Sequence, residues 1–431
     1  MAGEDRGSDP YEVTLVVRSA VGGAGDTGAG RVVECRTSSA TGGSRREMSV
    51  ESTMRIRVAV VSSVHRWNDT RIFTRQAASL AANGYDVVLV GIGERRASFE
   101  VSGMSVVQLP RRPRLLRCLT WLSILRIVIW ERVSVVHAHD PELIPLMLLL
   151  RLSGRKVLCD IHENVSEQVL YKEWIPRYLR VPLSWLLKRV QRALPRMANA
   201  VILAEDSYVR DFPAAANVSV IRNFPILPPG CKQDYRSDVF RLIYVGDVRR
   251  VRGIGEYIAI VDRLTKRGVP VELRVVGSFA DPEEHGQIER LVSELGLEEC
   301  VRFLGRRPPE EIPGLVEKCD VGLSLLHPIG NFRESYPTKM FEYMAAGVPA
   351  LASKFPLWEK VLVGNDCGRV VDPRNVEEAT DVLFDYWISQ DLRERHGRNG
   401  RSAVARRYNW ALEVPRLTAV YAALAAPNSP A

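Results

Sequence analysis

Paired cysteines are missing. The seven cysteines of this 431-residue chain stand singly at 35, 118, 159, 231, 300, 319 and 367. An odd number with no CxxC spacing argues against a disulfide framework or a zinc site and fits reduced thiols in a cytoplasm. Long apolar runs are missing too. A spanning helix needs ~18–20 uninterrupted apolar residues, and the best stretch, Leu115 to Trp130, is broken by Arg117 and Arg126. The opening residues are acidic and glycine-rich rather than basic and then apolar, so no secretory leader is expected. Neither half carries G-x-G-x-x-G in its first loop, which disfavours a nicotinamide dehydrogenase.

What is present points to two folded domains. Domains run about 100–200 residues, and 46% hydrophobic content suffices for real cores. The formal charge of +8 admits nucleic acid, anionic lipid or a phosphorylated substrate as partner. It also admits a merely arginine-rich composition. No nucleic-acid motif accompanies the charge, so nucleic acid is not expected.

Residues 1–53, with runs such as GGAGDTGAG, read as a mostly disordered extension. Met54 stands just before the first strand and is a conceivable start. From there strands and helices alternate. RIRVAVVSS (55–63) reads as a buried parallel strand, followed by a loop with Asp69 and Thr70 as capping residues. A helical stretch then runs to Gly84, and strands follow at 85–93, 133–140, 156–163 and 199–205. NFPILPPGCKQDYRSD (223–238) reads as a linker. The pattern restarts with strands at 241–248, 270–278, 300–306, 320–326, 349–353 and 368–373. The fold class is therefore α/β: two Rossmann-like domains facing a cleft, at 54–228 and 229–431, with the last helix a candidate to cross back to the first domain. In such sheets ligands bind beyond the carboxyl ends of the strands.

The most informative stretch there is Glu334-SYPTKMF-Glu342 followed by YMAAGVP. Pro337 suits the start of a helix, which leaves Glu334 on the loop and Glu342 within the helix. Free N–H groups at the helix start suit a diphosphate. A carboxylate accepts two hydroxyl hydrogen bonds, and Lys339 adds a point charge. Taken alone, two glutamates at this spacing are as readily surface charge.

They do not stand alone. NDTRI (68–72), SVVHAHDPELIPL (134–146), CDIHEN (159–164), VIRNFP (220–225), LIYVGDVRRVRGI (242–254), YPTKMFEYMAAGVPALAS (336–353), NDCGRVVDP (365–373) and YNW (408–410) follow in order. Together they closely resemble the glycosyltransferase family 4 group of retaining transferases, which have the GT-B fold. The resemblance implies that Glu342 holds the nucleotide ribose. It implies that Glu334 touches the donor sugar, beside the N–H groups of Ser335, Tyr336 and Thr338. It brings the loop from Gly246 to Gly253 to the diphosphate, with Arg252 at the usual lysine position. Asp247 stands where arginine is common, and Arg249 or Arg250 would have to compensate. His139 matches the first-domain histidine near the reacting sugar. His162, Glu163, Asp69 and Arg71 are acceptor-side candidates.

The co-substrate is then a nucleotide-diphosphate sugar of UDP or GDP type, with no further cofactor. No D-x-D motif is present, so no bridging metal is implied. The implied reaction is sugar transfer with retention to a lipid-linked or polysaccharide-precursor acceptor. Two basic stretches with interleaved aromatics, 111–133 and 171–197, suit peripheral contact with a membrane's inner face; a helix with a solvated basic face is the plainer reading. The expected location is cytoplasmic. A sugar-nucleotide epimerase of the same scaffold and a non-catalytic transferase-like subunit stay open as alternatives.

Overall fold

The computed structural model describes residues 56–162, 164–171, 175–212, 215, 217–229 and 238–425. The expected extension 1–53, Met54 and Glu163 lie outside these residues.

The first sheet takes eight strands: Arg57–Arg66 (β1), Asp86–Gly93 (β2), Ala97–Val101 (β3), Met104–Pro110 (β4), Val135–Ala138 (β5), Lys156–Ile161 (β6), Ala200–Leu203 (β7) and Val218–Val220 (β8). Their order is β3-β4-β2-β1-β5-β6-β7-β8. Neighbours run parallel except β3 against β4. The second sheet takes Phe240–Val245 (β9), Val271–Val276 (β10), Val301–Gly305 (β11), Val321–Ser324 (β12), Ala350–Ser353 (β13) and Gly368–Val371 (β14). Its order is β11-β10-β9-β12-β13-β14, parallel throughout. Strand order therefore reverses between β1 and β5 and between β9 and β12, the switch points where such sheets leave a crevice.

The central strands are apolar on both faces because helices cover both. Val58 to Val61 and Val88 to Val90 are wholly buried, as expected of parallel strands. The hairpin β3–β4 was not anticipated by the pattern. Its turn, Ser102 and Gly103, has φ of 51° and 72°, the left-handed pair that matches the twist of adjoining strands.

The helical stretch after Asp69 also departs from expectation. It opens as a wide turn, Thr70–Ala77, before narrowing to the α-helix Ala78–Ala82. Asp69 caps it, accepting from the N–H groups of Arg71 at 2.9 Å and Ile72 at 3.1 Å. Such widened turns cluster at functional sites because they re-aim side chains.

The last helix, Val414–Ala425, lies on the first sheet. Leu417, Tyr421 and Leu424 join Trp410 against Val58, Val60, Leu89 and Val135. No helix among the described residues is long and apolar enough to cross a membrane.

Candidate active site

The helix Thr338–Ala345 begins directly after Pro337, whose extended backbone (φ −73°, ψ 114°) forms its N-cap. Met340, Phe341 and Met344 fix it by packing on the second sheet. Glu342 is left 30% exposed, with its Oε1 3.9 Å from Nη2 of Arg75 on the first half's wide turn. Burial raises the Glu342 carboxyl, against the pull of Arg75 and Lys339.

Two cavities meet at Glu342 and Arg75. One, of about 510 Å³, is walled by Pro225, Ile226, Val276, Ile312, Pro313 and Val316, with Gly246 and Asp247 at its edge. The other, of about 360 Å³, is polar and lined by His65, Asp69, Arg71, His162, Glu205 and Thr338 among others. The first suits a flat, largely apolar group and the second a polyhydroxylated one.

The loop 246–253 lies beside this junction. Gly253 has φ of 89°, and a Cβ there would fall 2.3 Å from the Leu325 carbonyl oxygen, so only glycine fits. Its arginines divide sharply. Arg249 is exposed. Arg250 is tied to the neighbouring helix, its N–H donating to Glu284 at 2.5 Å and its Nη2 to Gln287 at 2.6 Å. Arg252 turns inward, and its partner is Asp247 at 3.5 Å. Neither Arg249 nor Arg250 lines either cavity. Lys339 is buried with its Nζ 4.1 Å from the centre of the Tyr244 ring and, among the described residues, without a hydrogen-bond partner. Burial, reinforced by Arg252, holds its ammonium well below the ordinary lysine value.

On the first half, β5 and β6 end in a buried charged cluster. Asp160 accepts from Nε and Nη2 of Arg71 at 2.9–3.3 Å and from Gln76 Nε2. Burial pushes its carboxyl upward, but Arg71, His137 and His162 outweigh that and hold it well below the usual range. His137 Nδ1 lies 2.9 Å from the Tyr421 hydroxyl.

His139 lies deeper than the sequence suggests. It is 1% exposed, lies with its ring tilted 31° against His137 at 4.4 Å and lines neither cavity. Burial, then His137, keep its imidazole well below the usual value. The imidazoles that face the polar cavity are His65 and His162, with Nε2 atoms 3.2 Å apart. His137, His139 and Asp160 offer three ligand atoms within 4.8 Å of one another. Asp160 is already matched by a guanidinium, so a dication there would meet an adjacent fixed positive charge. The cluster is a charge-compensated polar core.

Glu334 also departs from expectation. It ends the turn Gly330–Glu334, pairs with Arg210 at 2.6 Å and lines a separate cavity with Glu167 and Arg333. Tyr336 lines both that cavity and the polar one, and its N–H donates to Glu205. The Ser335 carbonyl accepts from Trp358 Nε1 at 2.7 Å. Thr338 and Glu342 are brought together with Asp69, Arg71 and His162; Glu334 and His139 are not.

Two family models account for most of the chain. Residues 70–223 match the glycosyl transferase 4-like domain, and residues 232–403 match the glycosyl transferases group 1 model. The chain belongs to the group 1 glycosyltransferases.

The group 1 fold is also that of its structural neighbours. Sucrose-phosphate synthase from Thermosynechococcus elongatus superposes with a TM-score of 0.69 at 19% identity, covering 86% of this chain and 99% of that one. The Anabaena HepE complex with UDP-glucose gives 0.65 at 14% identity, covering 85% and 99%. Among curated relatives, a D-inositol 3-phosphate glycosyltransferase of Corynebacterium jeikeium is 28% identical over 182 residues, 41% of this chain and 42% of that protein. This chain thus spans less than half of that relative. The MMP alpha-(1->4)-mannosyltransferase of Mycolicibacterium hassiacum is 24% identical, covering 69% and 72%. The phosphatidyl-myo-inositol mannosyltransferase of Mycobacterium leprae is 25% identical, covering 69% and 75%.

In this group 1 chain, His65, Glu205 and Arg75 line the polar cavity without having been singled out in the sequence. Glu205 is the first acid after β7, a strand end that the search of loops passed over. Arg75 lies four residues after Arg71 in an otherwise apolar face, and a basic residue on the buried side of a helix was the available signal.

Proposed function

We propose that this protein transfers a sugar from a UDP- or GDP-type nucleotide sugar to a lipid-linked or polysaccharide-precursor acceptor. The observation that carries this reading is Glu342, placed one turn into a helix at the junction of an apolar and a polar cavity. The apolar cavity takes the base, Glu342 accepts from the ribose hydroxyls, and the polar cavity takes the hexose. Arg252, Lys339 and the free N–H groups at the helix start neutralise the leaving diphosphate, an electrostatic role that asks for no bridging metal. Family membership is what supports retention of configuration.

The acceptor side favours a lipid surface. On the helix Arg177–Met197, Tyr178, Val181, Trp185 and Leu186 are exposed beside Arg177, Arg189 and Arg192. Leu119, Leu122, Ile129 and Trp130 are exposed on the helix Cys118–Trp130. Apolar and basic groups interleaved in this way suit the inner face of a membrane, on its cytoplasmic side. Lys172 and Trp174 lie outside the described residues.

The test is calorimetric titration of the full chain with UDP, GDP and their sugar conjugates. It is followed by incubation of the accepted donor with a membrane lipid extract, with and without chelator, and NMR of the product's anomeric proton. Binding of one nucleotide class, with chelator-insensitive formation of a retained glycoside, is expected. No binding of any nucleotide would overturn the reading. Binding without transfer would favour a non-catalytic subunit, the reading to which the Asp247–Arg252 pair lends support.

A further inference from the structure

Arg75 is the feature the reading above leaves unused. It sits on the wide turn Thr70–Ala77, one turn beyond Arg71, and the widening turns both guanidinium groups inward. Their surroundings differ. Arg71 is matched by a full carboxylate, with Nε and Nη2 on Asp160 and Nη2 also on the Ile221 carbonyl at 3.2 Å. Arg75 is 3% exposed but has only a neutral acceptor at bonding distance, Asn223 Oδ1 at 2.5 Å from Nη1. Its nearest carboxylate, Glu342, stands off at 3.9 Å, and its Nε has no hydrogen-bond partner among the described residues. A buried cation with a spare donor and no close counter-ion is costly unless an anion completes it.

The place of that anion follows from the cavities. Arg75, Thr70 and Glu342 line both of them. One cavity suits a base and ribose, the other a hexose, and a diphosphate joins those two parts of a nucleotide sugar. The Arg75 side chain therefore stands at the boundary where the diphosphate crosses. We propose that Arg75 is a diphosphate ligand supplied across the cleft by the first half, meeting the donor that the second half holds. The inference rests on the donor site proposed above.

Burial supports it from another side, drawing the Arg75 guanidinium down to about 10, with Glu342 opposing and Arg71 assisting. An incoming phosphate relieves that penalty, and the planar fork suits two phosphate oxygens.

The experiment compares nucleoside and nucleoside diphosphate affinities, by calorimetry, in the full-length wild type, Arg75→Gln and Arg75→Lys. The base is whichever the wild type binds. In Arg75→Gln the diphosphate weakens about tenfold, the scale of one charge-assisted hydrogen-bonded contact, while nucleoside affinity stays within about twofold. Arg75→Lys keeps the charge but loses the fork, and falls between the two. If the glutamine variant does not fold, the lysine variant decides alone, since an ammonium cannot reproduce two parallel N–H bonds. An unchanged ratio of diphosphate to nucleoside affinity overturns the role of Arg75 and leaves the donor site standing. A wild type that binds neither uridine nor guanosine diphosphate overturns the donor site itself, and the inference with it.

Discussion

Both carboxylate oxygens of Glu205 lie within 3.2 Å of the Tyr336 backbone nitrogen. The contact joins the end of β7 to the loop that feeds the helix Thr338–Ala345. It also puts an acid of the protein's own on an N–H group that the family resemblance places beside the donor sugar.

Burial pushes the Glu205 carboxyl up from 4.5 to about 8, with the Tyr336 N–H pulling the other way. The folded state then holds a proton that the unfolded chain releases. Stability from this group is present below about pH 4.5, falls as pH rises, and is gone above about 8. Thermal unfolding of the wild type and Glu205→Gln across that window is expected to show the variant gaining steadily on the wild type. A difference that does not vary with pH would show that the carboxyl titrates normally.

Asp247 is 62% exposed and lies 3.5 Å from Arg252, so it both engages that cation and repels an incoming diphosphate. Asp247→Ala is expected to raise nucleoside diphosphate affinity about threefold at low salt, the modest scale of an exposed pair. The gain shrinks as salt screens it. Weaker binding in the variant would mean that the loop needs Asp247 for its shape.

The Arg71–Asp160 pair is buried on both sides. Arg71→Met strands a carboxylate and is expected to cost about 3–5 kcal/mol in urea unfolding. Replacing Asp160 with leucine in the same chain recovers much of that loss, because an apolar pair fills the space without a stranded charge. A double variant no more stable than the single would point to His137 and His162 as further dependants of Asp160.

Gly253 combines a left-handed φ of 89° with the Leu325 carbonyl 2.3 Å from any Cβ. Gly253→Ala is expected to lose about 1–3 kcal/mol of stability and to weaken nucleotide binding by shifting the loop 246–253. Wild-type affinity in a folded variant would place that loop outside the donor site.

The sequence exposed those parts of the molecule whose cause is local. The parallel strands announced themselves because burial on both faces demands unbroken apolar runs. The helix at Thr338 did so because a proline such as Pro337 is favoured where a helix begins. Hairpin β3–β4 stayed hidden because β3 alternates half-buried with exposed residues and its turn depends on a non-glycine residue at positive φ. The fate of His139 was not legible at all. That histidine packs against His137 and Asp160, and His137 in turn meets Tyr421, so its surroundings come from three separate segments. Arg75 shows the same limit, since the carboxylate nearest it, Glu342, comes from a distant segment of the chain.

Trp410, Leu417, Tyr421 and Leu424 cover one face of a sheet whose strands end before residue 221. Trp410 is further anchored by its Nε1 on Ser79 Oγ at 2.8 Å. During synthesis the ribosome delivers that cover only after the second sheet, so β1, β2 and β5 wait with apolar surface bare while that sheet is made. A chain cut short after residue 409 would keep both sheets and lose this lid, and holdase chaperones or proteases would find it first. Splitting the protein at its linker would therefore yield a sticky amino-terminal fragment, which a separately supplied peptide of residues 410–425 ought to rescue.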